Sequence, residues 1–513
     1  MQAHVYPEGC VFNSLNDIKE KKVTVMGLGL NGGGEACVRF FLKYGAIVTV
    51  TDMKTKEQLK PTIDSIAKDK TLPLENLTYV LGEHRIQDFS EADCVIKNPG
   101  VKYEGNKFLA AAKAIETDIS IFLHFTKAPI IAVTGSKGKS STVSAIDYGL
   151  KAAGSTSFLG GNITVSPLTF LEQTTKNTPV VLELSSWQLR DLRGRKALKP
   201  KIAIITKIVP DHQNFYGAMD PYVDDKRLIY ADQDENDFAI FDADDDGYLK
   251  ETSSPKEGCT CWGDDFASEA KAKVLRYSSK EFTKPFKGVF QKNKEGFVNI
   301  NAKTECLIKS LMVPGPHNRI NVLNASLVLY LMKVEPDCIQ KVMSVWTGIP
   351  HRLEYFYEWD CTSGKKIAFY NDSCSTVPEA AAAASQSFES RVIFITGGTD
   401  KNLDFLPLAR TLNGESGTKF PPEEIYLLSG TGTDKLVPLL DERGVKYEGP
   451  FDSLEVLLSV LKANLETGRK NKDAEESEKL NVVFSPGCTS FGMFANEFDR
   501  GNSFKKYVEK LFQ

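Results

Sequence analysis

Residues 131–142 read Ile-Ala-Val-Thr-Gly-Ser-Lys-Gly-Lys-Ser-Ser-Thr, and their types and spacing point to chemistry on a phosphate. A run of β-forming residues ends at Gly135, Ser136, Lys137 and Gly138, and a helix-permissive run follows. Glycines let backbone N–H groups face an anion, and the N-terminal end of the next helix adds positive charge. Lys139 is expected to lie along the β- and γ-phosphates of a nucleotide, with Ser140 or Ser141 reaching a magnesium ion. Position 133 is Val, so the loop is shorter than the general Gly-x4-Gly-Lys-Ser/Thr pattern.

Further groups of residues could act beside it. Gly27-Leu28-Gly29-Leu30-Asn31-Gly32 follows a strand-like run and opens a helical one, and Asp52 lies 20 residues past Gly32. This pattern places a pyrophosphate on a helix N-terminus and a carboxylate on a sugar or base, which a nicotinamide dinucleotide and a UDP group satisfy equally. Glu183, in Leu182-Glu183-Leu184-Ser185-Ser186-Trp187-Gln188-Leu189, leaves a buried strand. A carboxylate there suits Mg²⁺, and equally a surface cap. His212, in Pro210-Asp211-His212, has the chemistry of a metal ligand or of a structural histidine. Lys226 is a poor neighbour for a cation unless its amine is carbamylated. Asn318 and Asn321 are three apart and share a helix face, where two amides could read an adenine edge or cap the helix. His351-Arg352, Asn371-Asp372-Ser373, Lys401 and Ser485–Phe491 fall at strand ends or loops. Arg352 offers a bidentate fork for phosphate and Lys401 a partner for a carboxylate.

The elements that must position these groups alternate strand and helix. Lys22–Met26, Ile47–Thr51 and Asp93–Ile96 read as strands of a first βαβ series, hence of a parallel sheet. Ile130–Val133, Val180–Leu184 and Ile202–Ile205 belong to a second unit. Short strands with Gly, Lys and Ser turns from about 240 to 312 predict an antiparallel patch, and a helix follows from Asn318 to Met332. Lys366–Tyr370, Val392–Thr396, Glu424–Leu428 and Asn481–Phe484 form a third unit. The fold class expected is α/β with three domains: 1–127 and 347–513 Rossmann-like, 128–346 a P-loop ATPase fold. The charged stretch 466–480 reads as a solvated surface insertion.

At 513 residues the chain is long enough for about three cores. A net charge of −4 with scattered Lys and Arg argues against a general nucleic-acid partner. No run of 18 apolar residues suggests a membrane span, and Met1–Lys22 contains no apolar secretion segment. The ten cysteines are spread singly, without C-x-x-C, as expected of reduced thiols in the cytoplasm.

Taken in order, these segments resemble the Mur ligase family. The resemblance rests on Thr134–Ser141, Glu183–Leu189, Asp211-His212, Tyr222–Lys226, Gly315–Asn321, Pro350–Arg352, Asn371–Ser373, Ser485–Phe491 and Arg500-Gly501. It implies a UDP-binding domain, a central ATPase and a third domain that completes the site. It implies ATP and Mg²⁺ as cofactors, with D-glutamate joined to UDP-N-acetylmuramoyl-L-alanine by a monomer. By match, Leu30, Asn31, Asp52, Asn162, Ser185 and Gln188 would face the UDP-substrate. Gly135–Ser141, Asn318, Asn321, Arg352 and Asp372 would hold ATP. Lys139, Glu183, His212 and carbamylated Lys226 would be catalytic, the last three with Ser140 serving the metal. Thr376, Lys401, Ser490 and Phe491 would shape the amino-acid site. The chain departs from the family pattern at Lys207, Cys374 and Val377 and in the order Glu497-Phe498, mostly at the amino-acid end. These departures leave open a changed amino-acid specificity or a non-catalytic relative. A nicotinamide-dependent dehydrogenase accounts for Gly27–Asp52 but not for Lys139, Glu183 and His212.

Overall fold

The computed structural model describes residues 3–163, 165–244, 247–300, 303–361, 364–415, 417–418, 420–467 and 479–513. Three sheets carry the chain. The first is built from β1 (Lys22–Met26), β2 (Ile47–Asp52), β3 (Leu77–Leu81), β4 (Cys94–Lys97) and β5 (Ile115–Glu116), in the order β3-β2-β1-β4-β5. All its pairings are parallel. In β1 the four residues after Lys22 are all buried, as a strand covered on both faces requires.

The second sheet contains β6 (Ile130–Thr134), β7 (Phe158–Gly161), β8 (Val180–Glu183), β9 (Ile202–Ile205), β10 (Phe238–Asp242), β11 (Lys273–Ser278), β12 (Gly288–Lys292), β13 (Glu295–Asn299) and β14 (Thr304–Ile308). Its order is β14-β13-β12-β11-β10-β9-β6-β8-β7. The antiparallel patch expected over 240–312 is smaller than its turn residues suggest. β10 and β11 pair in parallel, as do β11 and β12, and only β12–β14 alternate direction. For β10 and β11 the reason is the long connection between them, which holds helices Tyr248–Glu251 and Trp262–Ala267 and has the length a parallel crossover needs.

The third sheet contains β15 (Glu354–Asp360), β16 (Lys366–Asn371), β17 (Val392–Gly397), β18 (Glu424–Leu428), β19 (Glu448–Phe451) and β20 (Lys479–Phe484), in the order β15-β16-β20-β17-β18-β19. Only the edge strand β15 runs antiparallel to its neighbour. Residues 468–478, most of the charged insertion read from the sequence, lie outside the described residues.

The chain forms two compact units, 1–309 with 320–342, and 310–319 with 343–513. In the first, one apolar core runs through both sheets, from Val23 and Val48 to Ala132, Leu182 and Phe241. In the second, separate cores cover the two faces of the third sheet. All ten cysteines carry free thiols. Among the described residues no helix is long and apolar enough to cross a membrane.

Candidate active site

Motif residues gather at the carboxyl ends of parallel strands, the side on which open α/β sheets bind ligands. β6 ends at Thr134, and the helix Lys139–Ala152 starts behind Gly138, whose φ is 94°. A Cβ on Gly138 would come within 2.5 Å of Asn321 Oδ1, so the amide of Asn321 lies directly on the loop and glycine is required there. Ser136 ties the loop to the chain beyond β9. Its hydroxyl donates to Val209 O at 2.8 Å and accepts from Tyr222 Oη at 2.9 Å.

Two lysines converge on the same turn. Lys139 Nζ donates to Gly135 O at 2.9 Å and Ser136 O at 3.1 Å. Lys226 Nζ donates to Gly135 O at 2.8 Å and stands 4.5 Å over the Tyr222 ring. Lys226 is 1% exposed. Burial drives its amine well below the ordinary lysine value, and repulsion from Lys139 adds to the effect. Burial lowers Lys139 as well, against the pull of Glu183. Lys137 stays at the surface and pairs with Asp211 at 3.4 Å. Ser140 and Ser141 are half-buried in the first helical turn.

β8 pairs with β6 in the register Val133↔Glu183, which sets Glu183 beside the mouth of the loop. Glu183 Oε1 accepts from Asn162 Nδ2 at 2.8 Å, while the buried Oε2 has no hydrogen-bond partner. A buried carboxylate oxygen left unpaired is costly, and a cation would relieve it. His212 has a left-handed backbone, φ 51°, and its ring lies 4.9 Å from that of Trp187. Among the described residues no three His, Cys, Asp or Glu side chains cluster as a metal cage. Mg²⁺ is commonly held by one or two carboxylates together with phosphates and water, so a lone unpaired Glu183 oxygen beside a phosphate loop fits that ion.

Several residues expected to face a UDP group are engaged within the protein. Asp52 Oδ2 accepts from the amides of Leu28 at 2.9 Å and Gly29 at 3.1 Å, and Oδ1 from Lys54 N at 2.9 Å. Asp52 therefore holds the glycine loop in shape. Ser185 and Gln188 form a reciprocal capping box for the helix Ser186–Arg190. Asn162 serves Glu183. Leu30 and Asn31 are exposed at the loop tip.

The second unit builds its own cluster. Asp372, at the end of β16, accepts from Leu353 N at 3.1 Å and from Ser485 Oγ at 2.6 Å. It thereby fixes the turn carrying Arg352, which is exposed between His351 (φ 67°) and Leu353 (φ 45°). Asn318 Nδ2 donates to Pro314 O at 2.8 Å, a cap-like local bond. Ser490 is buried, Thr376 half-buried, and Lys401 and Phe491 exposed. Sequence reasoning did not foresee the work of Arg500. Its fully buried guanidinium donates to Ser373 O at 2.8 Å and Cys488 O at 3.0 Å, joining the two loops. Tyr222 enters the sequence reading only as the start of the Tyr222–Lys226 segment, without a role of its own. Its i, i+4 spacing from Lys226 was the available signal, because that spacing stacks a ring beneath an amine.

Burial pushes the Asp372 carboxyl up to about 7. The folded value lies above the unfolded one, so the native state holds an extra proton between them. That stabilisation is full below about pH 4 and is lost as pH rises through about 7. Asp372→Asn should remove the slope. Urea midpoints at pH 5 and pH 8 are expected to fall more for the parent than for the variant, and parallel profiles would contradict the assignment.

Residues 21–121 match the MurD-like N-terminal domain of Mur ligases, and residues 133–329 match the Mur ligase middle domain. The chain is 38% identical to the UDP-N-acetylmuramoylalanine–D-glutamate ligase of Treponema pallidum (strain Nichols), covering 97% of this chain and 99% of that one. The same-named ligase of Borreliella afzelii (strain PKo) is also 38% identical, with the same coverage. That of Roseiflexus sp. (strain RS-1) is 34% identical over 96% of this chain and 99% of its own. Among solved structures, MurF from Acinetobacter baumannii shares the fold at a TM-score of 0.55 and 13% identity, both chains covered in full. MurC from Thermotoga maritima does so at 0.52 and 16%, over 96% of this chain and 100% of that one. With full-length relatives at this level of identity and two of its domains matched by family models, the chain belongs to the Mur ligase family.

Proposed function

We propose that this chain joins D-glutamate to UDP-N-acetylmuramoyl-L-alanine at the expense of ATP, a step of peptidoglycan precursor synthesis. The observation that carries the reading is the phosphate loop itself, with the buried Lys226 and the half-buried Lys139 on its carbonyls and a buried, half-unpaired carboxylate beside it. The names of the full-length relatives supply the substrates. Residues 1–127 would hold the UDP-substrate, 128–346 ATP, and 347–513 would complete the site, in a cytoplasmic monomer.

The alanine carboxylate oxygen attacks the γ-phosphorus of ATP, and the bond to the leaving ADP breaks. Lys139 spreads the charge of the transferring phosphoryl. The amine of D-glutamate then attacks the acyl-phosphate carbonyl, the C–O bond to phosphate breaks, and the amine loses a proton. Excluding water protects the acyl phosphate from hydrolysis. Glu183, Ser140, His212 and carbamylated Lys226 would hold Mg²⁺, which neutralises phosphate charge when bound.

The deciding experiment measures phosphate release from ATP with UDP-N-acetylmuramoyl-L-alanine against a panel of D- and L-amino acids. Release is expected only with both the UDP-substrate and D-glutamate. Release with a different amino acid would redirect the specificity, a point made pertinent by Cys374 and Glu497. No release with any would overturn the enzyme reading.

Asp52→Ala should weaken the UDP-substrate and leave ATP binding nearly unchanged. Losing charged hydrogen bonds to the loop costs about 1.5–3 kcal/mol, or roughly tenfold or more in dissociation constant. Calorimetry with each nucleotide checks this; equal defects for both would argue against separate nucleotide sites.

A further inference from the structure

Residues 4–12 form an irregular strap that lies ahead of the matched N-terminal family domain. The strap bridges the two sheets of the first unit. Tyr6 N donates to Arg193 O and Gly9 N to Arg195 O, each at 2.9 Å, just beyond the helix Ser186–Arg190. On the other side, His4 N donates to Glu104 Oε1 at 2.9 Å and Val11 N to Glu116 Oε1 at 3.0 Å. The fit is close: a Cβ on Gly194 would come within 2.5 Å of Val5 Cγ1.

Beneath the strap runs a buried polar chain. Tyr6 Oη donates to Asp191 Oδ1 at 3.2 Å. Asp191 Oδ2 accepts from Lys97 Nζ at 2.8 Å, in a pair whose side chains are 2% and 3% exposed. Lys97 Nζ also donates to Asn98 O at 3.0 Å. The Asn98 side chain lies against the glycine loop, where a Cβ on Gly27 would stand 3.3 Å from its Nδ2. Asp191 is the residue that ends the helix capped by Ser185, so the chain joins the glycine loop to the segment that follows Glu183. A second buried pair, Arg195–Glu116 at 2.9 Å, runs alongside, with Arg195 4.4 Å over the Tyr6 ring.

We propose that Tyr6, Asp191 and Lys97 are positioning residues for the UDP-substrate: the strap locks a buried ion pair that sets the glycine loop relative to the phosphate-loop side of the same unit. The inference rests on reading the glycine loop as the UDP-substrate site. Buried charge pairs are geometrically exacting, because a displaced partner leaves an uncompensated charge in a low dielectric. Burial raises the Asp191 carboxyl to about 6 even against the pull of Lys97, so the Tyr6 hydroxyl supports an anion that is costly to maintain.

The test compares Tyr6→Phe, Lys97→Met and Lys97→Arg for kcat, for both KM values and for thermal stability, with calorimetry of UDP-N-acetylmuramoyl-L-alanine on each. Tyr6→Phe removes one hydroxyl and is expected to raise the KM of the UDP-substrate about fivefold, the equivalent of one lost hydrogen bond. The KM of ATP should stay within about twofold, a difference too small to signal a lost contact. Lys97→Met should exceed the Tyr6→Phe effect, and Lys97→Arg should recover much of it. If Lys97→Met does not fold, Tyr6→Phe, which leaves the charges in place, decides alone. Variants that lose thermal stability while both KM values stay parental would reduce the strap to scaffolding and overturn the proposal. A parent protein that does not bind the UDP-substrate would instead overturn the reading of the glycine loop.

Discussion

Lys139→Ala is expected to lower the ligation rate by about 10²–10³, the usual cost of one preorganised contact to transition-state charge. Lys139 Nζ sits on the carbonyls of Gly135 and Ser136, inside the turn proposed to cradle phosphate. Burial lowers its pKa, so its charge is already poorly solvated and responds strongly to negative charge arriving on a γ-phosphoryl. The helix behind Gly138 keeps its backbone donors whatever residue stands at 139. The variant should therefore fold and bind the UDP-substrate as the parent does. Lys139→Arg is not expected to rescue, because a planar fork does not replace a compact ammonium in a closed turn. The measurements are initial rates of phosphate release, a thermal melt and calorimetry with the UDP-substrate. A variant that folds and ligates at a near-parental rate would remove Lys139 from the mechanism.

The features legible in the sequence were those encoded within one short segment. Gly135–Ser141 announces a strand, a turn and a helix through residue types at fixed offsets, and the structure has that local form. The same holds for β1, Gly27–Gly32 and the helix Gly33–Lys43. Roles that depend on distant neighbours were harder to read. Asp52 stands where the fingerprint puts it, but its carboxylate closes on the amides of Leu28 and Gly29, about two dozen residues earlier. Ser185 and Gln188 fit a capping box by spacing, and that local use was overlooked beside the motif's chemical promise. The parallel pairing of β10 with β11 is set by a crossover, which turn residues do not report. Arg500 and Tyr6 are legible only in three dimensions, since Ser373 and Asp191, which they bond, lie more than a hundred residues away from them.

Lys226→Ala is expected to be nearly inactive, and formate or acetate should partly restore it. The Lys226 amine is 1% exposed, donates to Gly135 O at 2.8 Å and shares that turn with Lys139. Two like charges 4 Å apart repel by roughly 4 kcal/mol at an effective dielectric of about 20. Burial already drives Lys226 toward its neutral form. A neutral amine is a nucleophile toward carbon dioxide: the N–C bond forms, one proton leaves, and a carboxylate appears on the side chain. One N–H survives in the carbamate, so the bond to Gly135 O can be kept. The modification would thus turn a repulsive neighbour of Lys139 into an attractive one and place a second carboxylate near the unpaired Oε2 of Glu183. Alanine removes both amine and carbamate and leaves a space that a short carboxylic acid can enter. In the parent, stripping dissolved carbon dioxide should lower the rate and bicarbonate should recover it. Retention of most activity in Lys226→Ala would exclude the carbamate. So would a dead variant that still binds Mg²⁺ and both nucleotides normally yet gains nothing from formate or acetate.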